Sequence, residues 1–514
     1  MGISIQNQTI QQTVEVEEGY NGNLATYLNY KSFFQFLSAP NLVLYSVIAL
    51  RIFLPSYHLN KVLYNMSNHF LPALVAFCCT TSLINAQQVE YQLPPKVIAD
   101  LVDAPLTPGV SLSPNHKTLL LMLRPTMPSI DEVSQEELRI GGLRINPRTN
   151  GASRSRHYVG LALQSITDDR QTTVTGLPER PRLENIRWSL NGNAFAFTHT
   201  TDDGLELWIV DVASGIARQL TPAIVNDAIS GIPYTWLHGD KILVRQTVPN
   251  RGPAPIDPDS PLGPVVQENS AGASPVRTYQ DLLKNPHDES LFEYYASSQL
   301  MMIDARSGAS TTFADQGIYL SNSVSPDGNY VLISRVIRPF SYSVPYYRFA
   351  QEIIIYDISG QIIRDLASIP PAENIPKGFN AVRTGPRSFG WRHDKAASLY
   401  WVEAQDEGDP KNEVAVRDRL YRLDSPFNGK GIATIDFALR YNSITWGSGD
   451  LAVAHEYWWS TRHEIKSTWA PDSETGEKRV LFDRSYEDRY TDPGEFETTP
   501  NEYGRPVLMR GKYG

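Results

Sequence analysis

Short apolar runs separated by turn residues recur along the chain. The clearest unit is Ser325-Pro326-Asp327-Gly328, which is followed at once by the apolar run Tyr330–Ser334. Proline pre-sets φ, aspartate bonds its own backbone, and glycine supplies the positive φ that closes a turn. A second apolar run, Gln351–Asp357, follows and ends in a turn at Gly360. This pattern predicts antiparallel strands joined by tight turns.

Weaker copies of the unit occur at irregular intervals. Their markers, a serine or tryptophan at the end of a strand, are Ser113, Ser189, Trp236, Ser325, Trp391 and Trp446. A second recurring feature is an apolar strand that ends in aspartate and continues into Ser-Gly. Repeats of this kind are typical of a β-propeller with four-stranded blades, and the uneven spacing indicates loops between strands. The predicted fold class is therefore all-β, a β-propeller of four-stranded meander blades.

Composition narrows the choice of partners. The chain has 514 residues, a formal net charge of −10 and only two cysteines. An acidic protein is poorly suited to bind nucleic acid or an anionic membrane surface, so neither is expected as a partner. The adjacent Cys78 and Cys79 cannot form a disulfide framework or a tetrahedral cysteine site. No metal and no cofactor is expected.

The N-terminal region does not share the repeat pattern. Residues 1–65 are interpreted as a non-native or disordered extension, and residues 66–86 as a signal peptide. The signal peptide hypothesis rests on the apolar run Phe70–Cys79 and on the small residue Ala86. It places the protein in the periplasm or outside the cell. Residues 87–514 are then an incomplete propeller domain.

An N-terminal membrane anchor or a buried helix is the alternative for this region. The apolar stretch Asn41–Tyr57 contains Arg51 and Pro55. It is short for a membrane-spanning helix, which needs about 20 apolar residues, so no stable membrane span is expected.

Three stretches within the repeats depart from the strand pattern. Val97–Val102 predicts a short helical turn, and Leu138–Arg156 is a basic insertion within the first unit. A loop rich in proline, glycine and serine is predicted over Pro249–Pro275, and two short helices are predicted after it, at Tyr279–Leu283 and Ser290–Tyr295.

Several loop motifs resemble those of a known family. They are Leu93–Pro105, Leu143–Pro147, Val276–Leu283, Arg338–Ser341, Phe379–Arg383, Leu399–Asp406 and Leu481–Gly494. In these motifs the chain resembles the glutamyl endopeptidases of the prolyl oligopeptidase family, from about Tyr91 to its last residue. The resemblance implies a propeller, through or beside which peptides reach the site, and a C-terminal α/β-hydrolase domain with catalytic Ser, Asp and His.

That catalytic half is not recognisable in the sequence. A nucleophile elbow needs G-x-S-x-G, and Gly151, Gly272 and Gly308 each open a Gly-Ala-Ser that lacks the closing glycine. We expect no catalytic residue here and no peptide hydrolysis by this polypeptide alone. The stretch Asn501–Met509 reads as the start of another blade, so truncation before ring closure is expected.

The sequence leaves two hypotheses for the function of the chain. The first is the propeller portion of an exported serine endopeptidase that cleaves after glutamate, gating or positioning the peptide substrate, with the missing hydrolase domain as its partner. The alternative is a stand-alone propeller that binds a protein or peptide without chemistry. A downstream reading frame with G-x-S-x-G and a late histidine would favour the first.

Some candidate sites have a simpler interpretation. His455-Glu456 and His463-Glu464 lack the second histidine of a zinc-protease helix, since Trp459 and Ser467 stand in its place. The stretch Asp406–Asp409 lacks the ligand spacing of a calcium loop and is interpreted as a solvated turn.

Two arginine clusters are the remaining candidates. They comprise Arg335, Arg338 and Arg348, and then Arg383, Arg387 and Arg392. A site for glutamate needs a planar cationic fork, which arginine supplies, although arginine in an acidic protein commonly pairs with nearby carboxylates. Both interpretations stay open for the substrate-binding candidates, Arg338, Arg348, Arg383 and Arg387; Arg338 and Arg383 are the first choice.

Export predicts a mature chain that begins near Gln87. Mass spectrometry of the N-terminal peptide from the native host checks this start. Recovery of peptides from residues 1–65 would contradict it.

Overall fold

The computed structural model describes residues 94–257, 278–473 and 475–511. The expected extension (1–65) and signal peptide (66–86) lie outside these residues. Within the described part, no helix is long and apolar enough to cross a membrane.

The first part of the fold contains a four-stranded sheet and an insertion. In chain order its elements are helix α1 (Lys96–Val102), β1 (Gly109–Leu112), β2 (Thr118–Leu123), helix α2 (Ile130–Val133), β3 (Leu138–Ile140), β4 (Leu143–Asn146), β5 (Gly151–Ala152), β6 (Gly160–Ser165) and β7 (Gln171–Thr173). Strands β1, β2, β6 and β7 form blade 1, and β3, β4 and β5 form a separate small sheet.

Five further blades follow. The next strands are β8 (Leu183–Trp188), β9 (Ala194–Thr200), β10 (Leu205–Asp211), β11 (Ile216–Gln219), β12 (Tyr234–Leu237) and β13 (Lys241–Thr247). After helix α3 (Pro286–Ala296) come β14 (Ser298–Asp304), β15 (Ser310–Val324), β16 (Tyr330–Val336), a 3-10 turn (Tyr346–Arg348), β17 (Gln351–Asp357) and β18 (Ile362–Ile369).

The last strands are β19 (Pro386–Trp391), β20 (Ser398–Ala404), β21 (Asp418–Asp424), β22 (Ile432–Phe437), β23 (Arg440–Ser448), β24 (Leu451–Trp458), β25 (His463–Trp469), β26 (Lys478–Ser485), β27 (Thr498–Pro500) and β28 (Pro506–Leu508). Blade 2 is β8–β11, blade 5 is β19–β22 and blade 6 is β23–β26. Blades 3 and 4 form one seven-stranded sheet, because the long strand β15 is the outer strand of blade 3 and the inner strand of blade 4.

The predicted all-β propeller of meander blades is confirmed. Each blade is a four-stranded antiparallel meander, and the innermost strands of successive blades end at or beside the serine and tryptophan markers. The uneven spacing of the markers comes from insertions between the second and third strands. Truncation before ring closure stays a prediction; the short hairpin β27–β28 follows blade 6.

The turn after the innermost strand is closed by side-chain hydrogen bonds. In blade 4, Ser325 Oγ donates to Asp327 Oδ1 at 2.5 Å and accepts from the Tyr330 amide at 3.0 Å. Gly328 has φ +77°, and a Cβ there would lie 2.4 Å from the His238 ring. A glycine is therefore required both by the backbone conformation and by the neighbouring turn of blade 3.

Apolar packing between adjacent sheets forms the core. One cluster joins blades 1 and 2 through residues such as Leu120 and Phe197, and another joins blades 4 and 5 through Ile355 and Leu399. Similar clusters lie between blades 2 and 3, 3 and 4, and 5 and 6. Each blade thus buries its apolar faces against its neighbours, as sheets in a sandwich do.

Three tryptophans of innermost strands connect neighbouring blades. Trp188 Nε1 donates to Ser111 Oγ at 3.0 Å, and Trp236 Nε1 donates to the Arg187 carbonyl at 3.1 Å. Trp391 Nε1 donates to the Ser323 carbonyl at 3.1 Å. Each bond joins the innermost strand of one blade to that of the preceding blade.

The two ends of the propeller differ. The hairpin face carries the turns that follow the innermost strands, such as Ser325–Gly328. The insertion face carries the connections between blades and the loops between second and third strands, including α2, β3–β5 and α3. The basic insertion predicted in the first unit is therefore confirmed as a part of this face.

The helix predictions are confirmed in part. Helix α1 covers Val97–Val102, and α3 covers Ser290–Tyr295. The predicted helix at Tyr279–Leu283 is wrong: Asp281 adopts φ +59° and its carbonyl accepts from the Gly142 amide at 2.8 Å. The left-handed residue and this long-range bond hold the segment against the β3–β4 turn instead.

The Gly328→Ala substitution tests the turn contact. We expect a loss of about 1–2 kcal/mol from the left-handed conformation and roughly 1–3 kcal/mol more from the contact with His238. The matched control is Gly239→Ala, since Gly239 has φ +73° with open space around its Cβ position. Urea unfolding measures the free energy of unfolding of both variants. Equal losses in the two variants would show that the His238 contact contributes nothing.

Candidate functional site

The innermost strands of blades 2, 3 and 4 line a central channel. A cavity of about 450 Å³ lies between β8, β12 and the inner half of β15. A second cavity, of about 440 Å³, lies between blades 4 and 5, and both are lined by Ser321 and Ser323. A third, of about 480 Å³, shares Gly231 and Ile232 with the first. The second and third cavities therefore each adjoin the first.

Arg338 is held by two carboxylates of helix α3. Its Nη1 lies 2.7 Å from Glu289 and its Nη2 lies 2.7 Å from Glu293. The guanidinium carbon sits 4.4 Å from the Phe340 ring centroid. The hydrogen bonds to Glu293 and Glu289 raise the pKa of Arg338 above its usual range despite some burial. Its charge is neutralised, and its contacts tie α3 to the loop after β16.

Arg387 also has an acidic partner. Its Nη2 lies 2.5 Å from the fully buried Asp418 carboxylate, and burial lowers the pKa of Arg387. Two other arginines of the clusters are similar, since Arg335 pairs with Glu352 at 2.7 Å. Arg392 is buried between Asp394 and Asp472, at 2.7 and 2.9 Å.

Arg348 and Arg383 are different from the other members of the clusters. Among the described residues, neither forms an ion pair. Arg383 lines the cavity between blades 4 and 5 and donates to the Pro370 carbonyl at 2.8 Å. Arg348 lies over the Tyr279 ring at 5.5 Å. Burial, and then the positive charge of Arg348, lower the pKa of Arg383. The two like charges thus act on each other, and within the described chain neither has a carboxylate at ion-pair distance.

The loop that carries Arg383 is anchored by a buried ion network. Arg440 lies 2.7 Å from Asp406 and 3.0 Å from Asp418, and all three side chains are buried. Arg440 Nε also donates to the Asn380 carbonyl at 2.7 Å. The Asn380 side chain accepts from the Trp459 amide at 2.8 Å. Blades 5 and 6 therefore fix the position of the segment just before Arg383.

Sequence reasoning missed this network. The interpretation of Asp406–Asp409 as a solvated turn is wrong for Asp406, which is 1% exposed and also pairs with Arg417 at 3.0 Å. Arg440 was not singled out because its partners lie 22 and 34 residues away. The one available signal was the position of Asp406 and Asp418 at either end of a single loop.

The histidines weighed for metal binding lie on blade 6, each beside a carboxylate of the neighbouring strand. His455 Nε2 is 3.0 Å from Glu464, and His463 Nε2 is 2.5 Å from Asp483. Among the residues that the structure describes, no group of three potential ligands comes together.

A further cavity lies beside blade 1 and was not anticipated. It measures about 550 Å³ and is lined by α2, the β5–β6 loop and the start of blade 2. Burial raises the pKa of Glu184 and raises that of Asp227 to about 7. Asp227 also faces Arg245 at 3.5 Å, which opposes this rise. Only tertiary contacts bring the residues of this cavity together, so no pattern in the sequence indicates it.

Comparison with known proteins identifies relatives of the chain. The chain is 38% identical over 444 residues to the "Probable glutamyl endopeptidase, chloroplastic" of Oryza sativa subsp. japonica, a match over 84% of this chain. It is 35% identical over 436 residues to the protein of the same name from Arabidopsis thaliana, over 82% of this chain. Over most of its length the chain is therefore related to proteins named glutamyl endopeptidase. The resemblance stated from the loop motifs is confirmed.

The extent of the match is limited. The chain spans about half the length of the curated relatives it matches, 47% and 45% respectively. No protein-family model matches the chain.

Solved structures give only a distant likeness. The Pyrococcus horikoshii acylaminoacyl peptidase aligns with 74% of this chain and 47% of its own, at 11% identity and a TM-score of 0.36. An oligogalacturonate lyase aligns with 74% of this chain and 85% of its own, at 11% identity and a TM-score of 0.33. These likenesses carry no argument, and the fold rests on the strand pairing described above.

Replacing Arg440 by methionine tests the anchor of the Arg383 loop. The change removes a positive charge that offsets the buried carboxylates of Asp406 and Asp418. The free energy of unfolding should therefore fall by roughly 3–5 kcal/mol. Arg419→Met is the control, because Arg419 and its partner Asp436 are partly exposed and such pairs contribute about 0–1 kcal/mol. Urea unfolding distinguishes the two. Losses of equal size would contradict a special role for Arg440.

Proposed function

We propose that this chain is the substrate-positioning propeller of an exported serine endopeptidase that cleaves after glutamate. Its relatives carry the name glutamyl endopeptidase, and its fold is a propeller with an open channel. The observation that carries the proposal is the pair Arg348 and Arg383, whose charges have no carboxylate partner among the described residues. The pair lies at the insertion face, beside the groove between blades 4 and 5.

The chemistry of this pair suits a glutamate side chain. A guanidinium presents a planar fork that can donate two parallel hydrogen bonds to one carboxylate. An anion placed between Arg348 and Arg383 would also relieve the repulsion that now acts on Arg383. The adjoining groove, lined by Tyr347 and Phe389 among others, offers apolar surface for the rest of the peptide.

The catalytic step belongs to a partner domain in this proposal. Nucleophilic catalysis needs a serine activated by an oriented base and an oxyanion site. The sequence contains no G-x-S-x-G to supply them. An α/β-hydrolase domain would provide the Ser, Asp and His, while this chain binds and orients the peptide. The chain alone would bind glutamyl peptides without cleaving them.

Export is part of the same proposal. The apolar run Phe70–Cys79 followed by Ala86 has the form of a secretory signal. The names of both relatives also give a compartment, the chloroplast. We place the mature chain outside the cytoplasm, from about Gln87 onward.

Peptide binding to the full chain tests the role of the arginine pair. The probe is a fluorescein-labelled peptide with a single glutamate, and fluorescence anisotropy measures its affinity. Loss of a charge-assisted hydrogen bond costs about 1.5–3 kcal/mol, so Arg383→Gln and Arg348→Gln should each weaken binding roughly 10- to 100-fold. Arg383→Lys should restore only part of the affinity, because it keeps the charge and loses the fork.

Arg338→Gln is the matched control. Arg338 lies on the same face, yet its charge is satisfied by Glu289 and Glu293. The Arg338→Gln variant should therefore bind the peptide with unchanged affinity. Unchanged affinity in the Arg383 and Arg348 variants, or an equal loss in Arg338→Gln, would overturn the proposed carboxylate site.

A further inference from the structure

The end of the channel at the hairpin face holds two more arginines without an acidic partner. Arg187 lies at the end of β8, and Arg505 lies in the turn between β27 and β28. Both line the channel cavity of about 450 Å³. Arg187 donates to the Ile186 carbonyl at 3.0 Å, and Arg505 donates to the Val324 carbonyl at 2.6 Å. Within the described chain, neither is in an ion pair.

The position of Arg505 is built by the hairpin. His393 Nδ1 lies 3.0 Å from the Pro506 carbonyl, and Asn501 Nδ2 donates to the His393 carbonyl at 2.7 Å. Val507 and Leu508 are buried, and β28 packs against β23 of blade 6. Arg505 is thereby held over the end of β15 and is partly withdrawn from water. Burial lowers the pKa of Arg505.

The walls of this cavity favour an anionic ligand. Its described lining contains Arg187, Arg245 and Arg505 but no aspartate or glutamate. Arg245 faces Asp227 at 3.5 Å, so the uncompensated charge belongs to Arg187 and Arg505. The protein as a whole has a net charge of −10. A positive channel within an acidic protein concentrates anions locally, because low-dielectric walls focus the field.

We propose that Arg187 and Arg505 form a second carboxylate-binding site, so that the channel holds an extended acidic peptide at two points. The first point is the Arg348–Arg383 pair at the insertion face. This inference rests on the proposed function for the direction of the peptide. The proposed ligand is a polypeptide segment with two acidic side chains. A segment with one acidic side chain would be held at only one of the two points.

The spacing of the two points follows from the strand between them. The inner half of β15, Tyr319–Val324, runs along the channel, and its serines line both cavities. A strand rises about 3.3 Å per residue, so this wall is roughly 15–20 Å long. An extended peptide spans up to about 3.3–3.6 Å per residue, which places the two carboxylates about five residues apart.

Two peptides of equal length test the inference on the full chain. One has two glutamates separated by four glycine and serine residues, and the other has glutamine in place of the second glutamate. Anchoring at two points raises affinity by effective concentration, so wild type should prefer the two-glutamate peptide by about 10-fold or more at low salt. The preference should shrink at high salt, which screens these charges.

Variants of Arg187 and Arg505 test whether the second site causes the preference for the two-glutamate peptide. Arg505→Gln and Arg187→Gln should remove it while leaving affinity for the one-glutamate peptide unchanged. Arg505→Lys should keep most of the preference for two glutamates, because the positive charge remains. This variant therefore distinguishes a binding role of the side chain from a structural one. Arg479→Gln, on the exposed outer strand β26, is the control and should change neither affinity. Thermal melting of each variant confirms folding.

The outcomes separate the two proposals. If Arg505→Gln and Arg187→Gln keep the full preference for two glutamates, the second site is overturned. If Arg383→Gln leaves both affinities unchanged while Arg505→Gln removes the preference, the second site stands and the proposed function at Arg348–Arg383 fails.

Discussion

The structure depends above all on the packing of each blade against the next. No single four-stranded meander buries both of its apolar faces, so every blade needs a neighbour on either side. The tryptophan bonds set the register of this packing near the axis: Trp188 reaches Ser111, Trp236 reaches Arg187 and Trp391 reaches Ser323. These bonds fix which residues of adjacent innermost strands lie side by side, and so they decide what lines the channel.

The channel follows from the same constraint. The innermost strands satisfy their backbone by pairing within their own blade, so side chains that point to the axis need no structural partner. Arg187 occupies such a position on β8, and Arg383, in the loop before β19, likewise has no carboxylate partner among the described residues, whereas Arg338 and Arg387 meet carboxylates from other elements. The difference between a structural and an available arginine is therefore whether an acid lies within reach.

The buried network of Arg440, Asp406 and Asp418 shows how the insertion face is kept rigid. Buried ion pairs add little net stability, because desolvation offsets the Coulomb attraction. Their geometry is demanding, however, and Arg440 also holds the Asn380 carbonyl. The loop that presents Arg383 is thus positioned by side chains from two blades rather than by its own sequence.

The sequence by itself determined the class of fold. Strand periodicity, the Ser325–Gly328 turn and the marker residues are local signals, and they located all six innermost strands. The family was also readable, since loop motifs need no tertiary context. Tertiary structure alone decided the chemistry of each arginine. The partners Glu293 and Arg338 are 45 residues apart, and Val324 and Arg505 are 181 apart. Blade packing brings such residues together, and no local pattern encodes a contact over that distance.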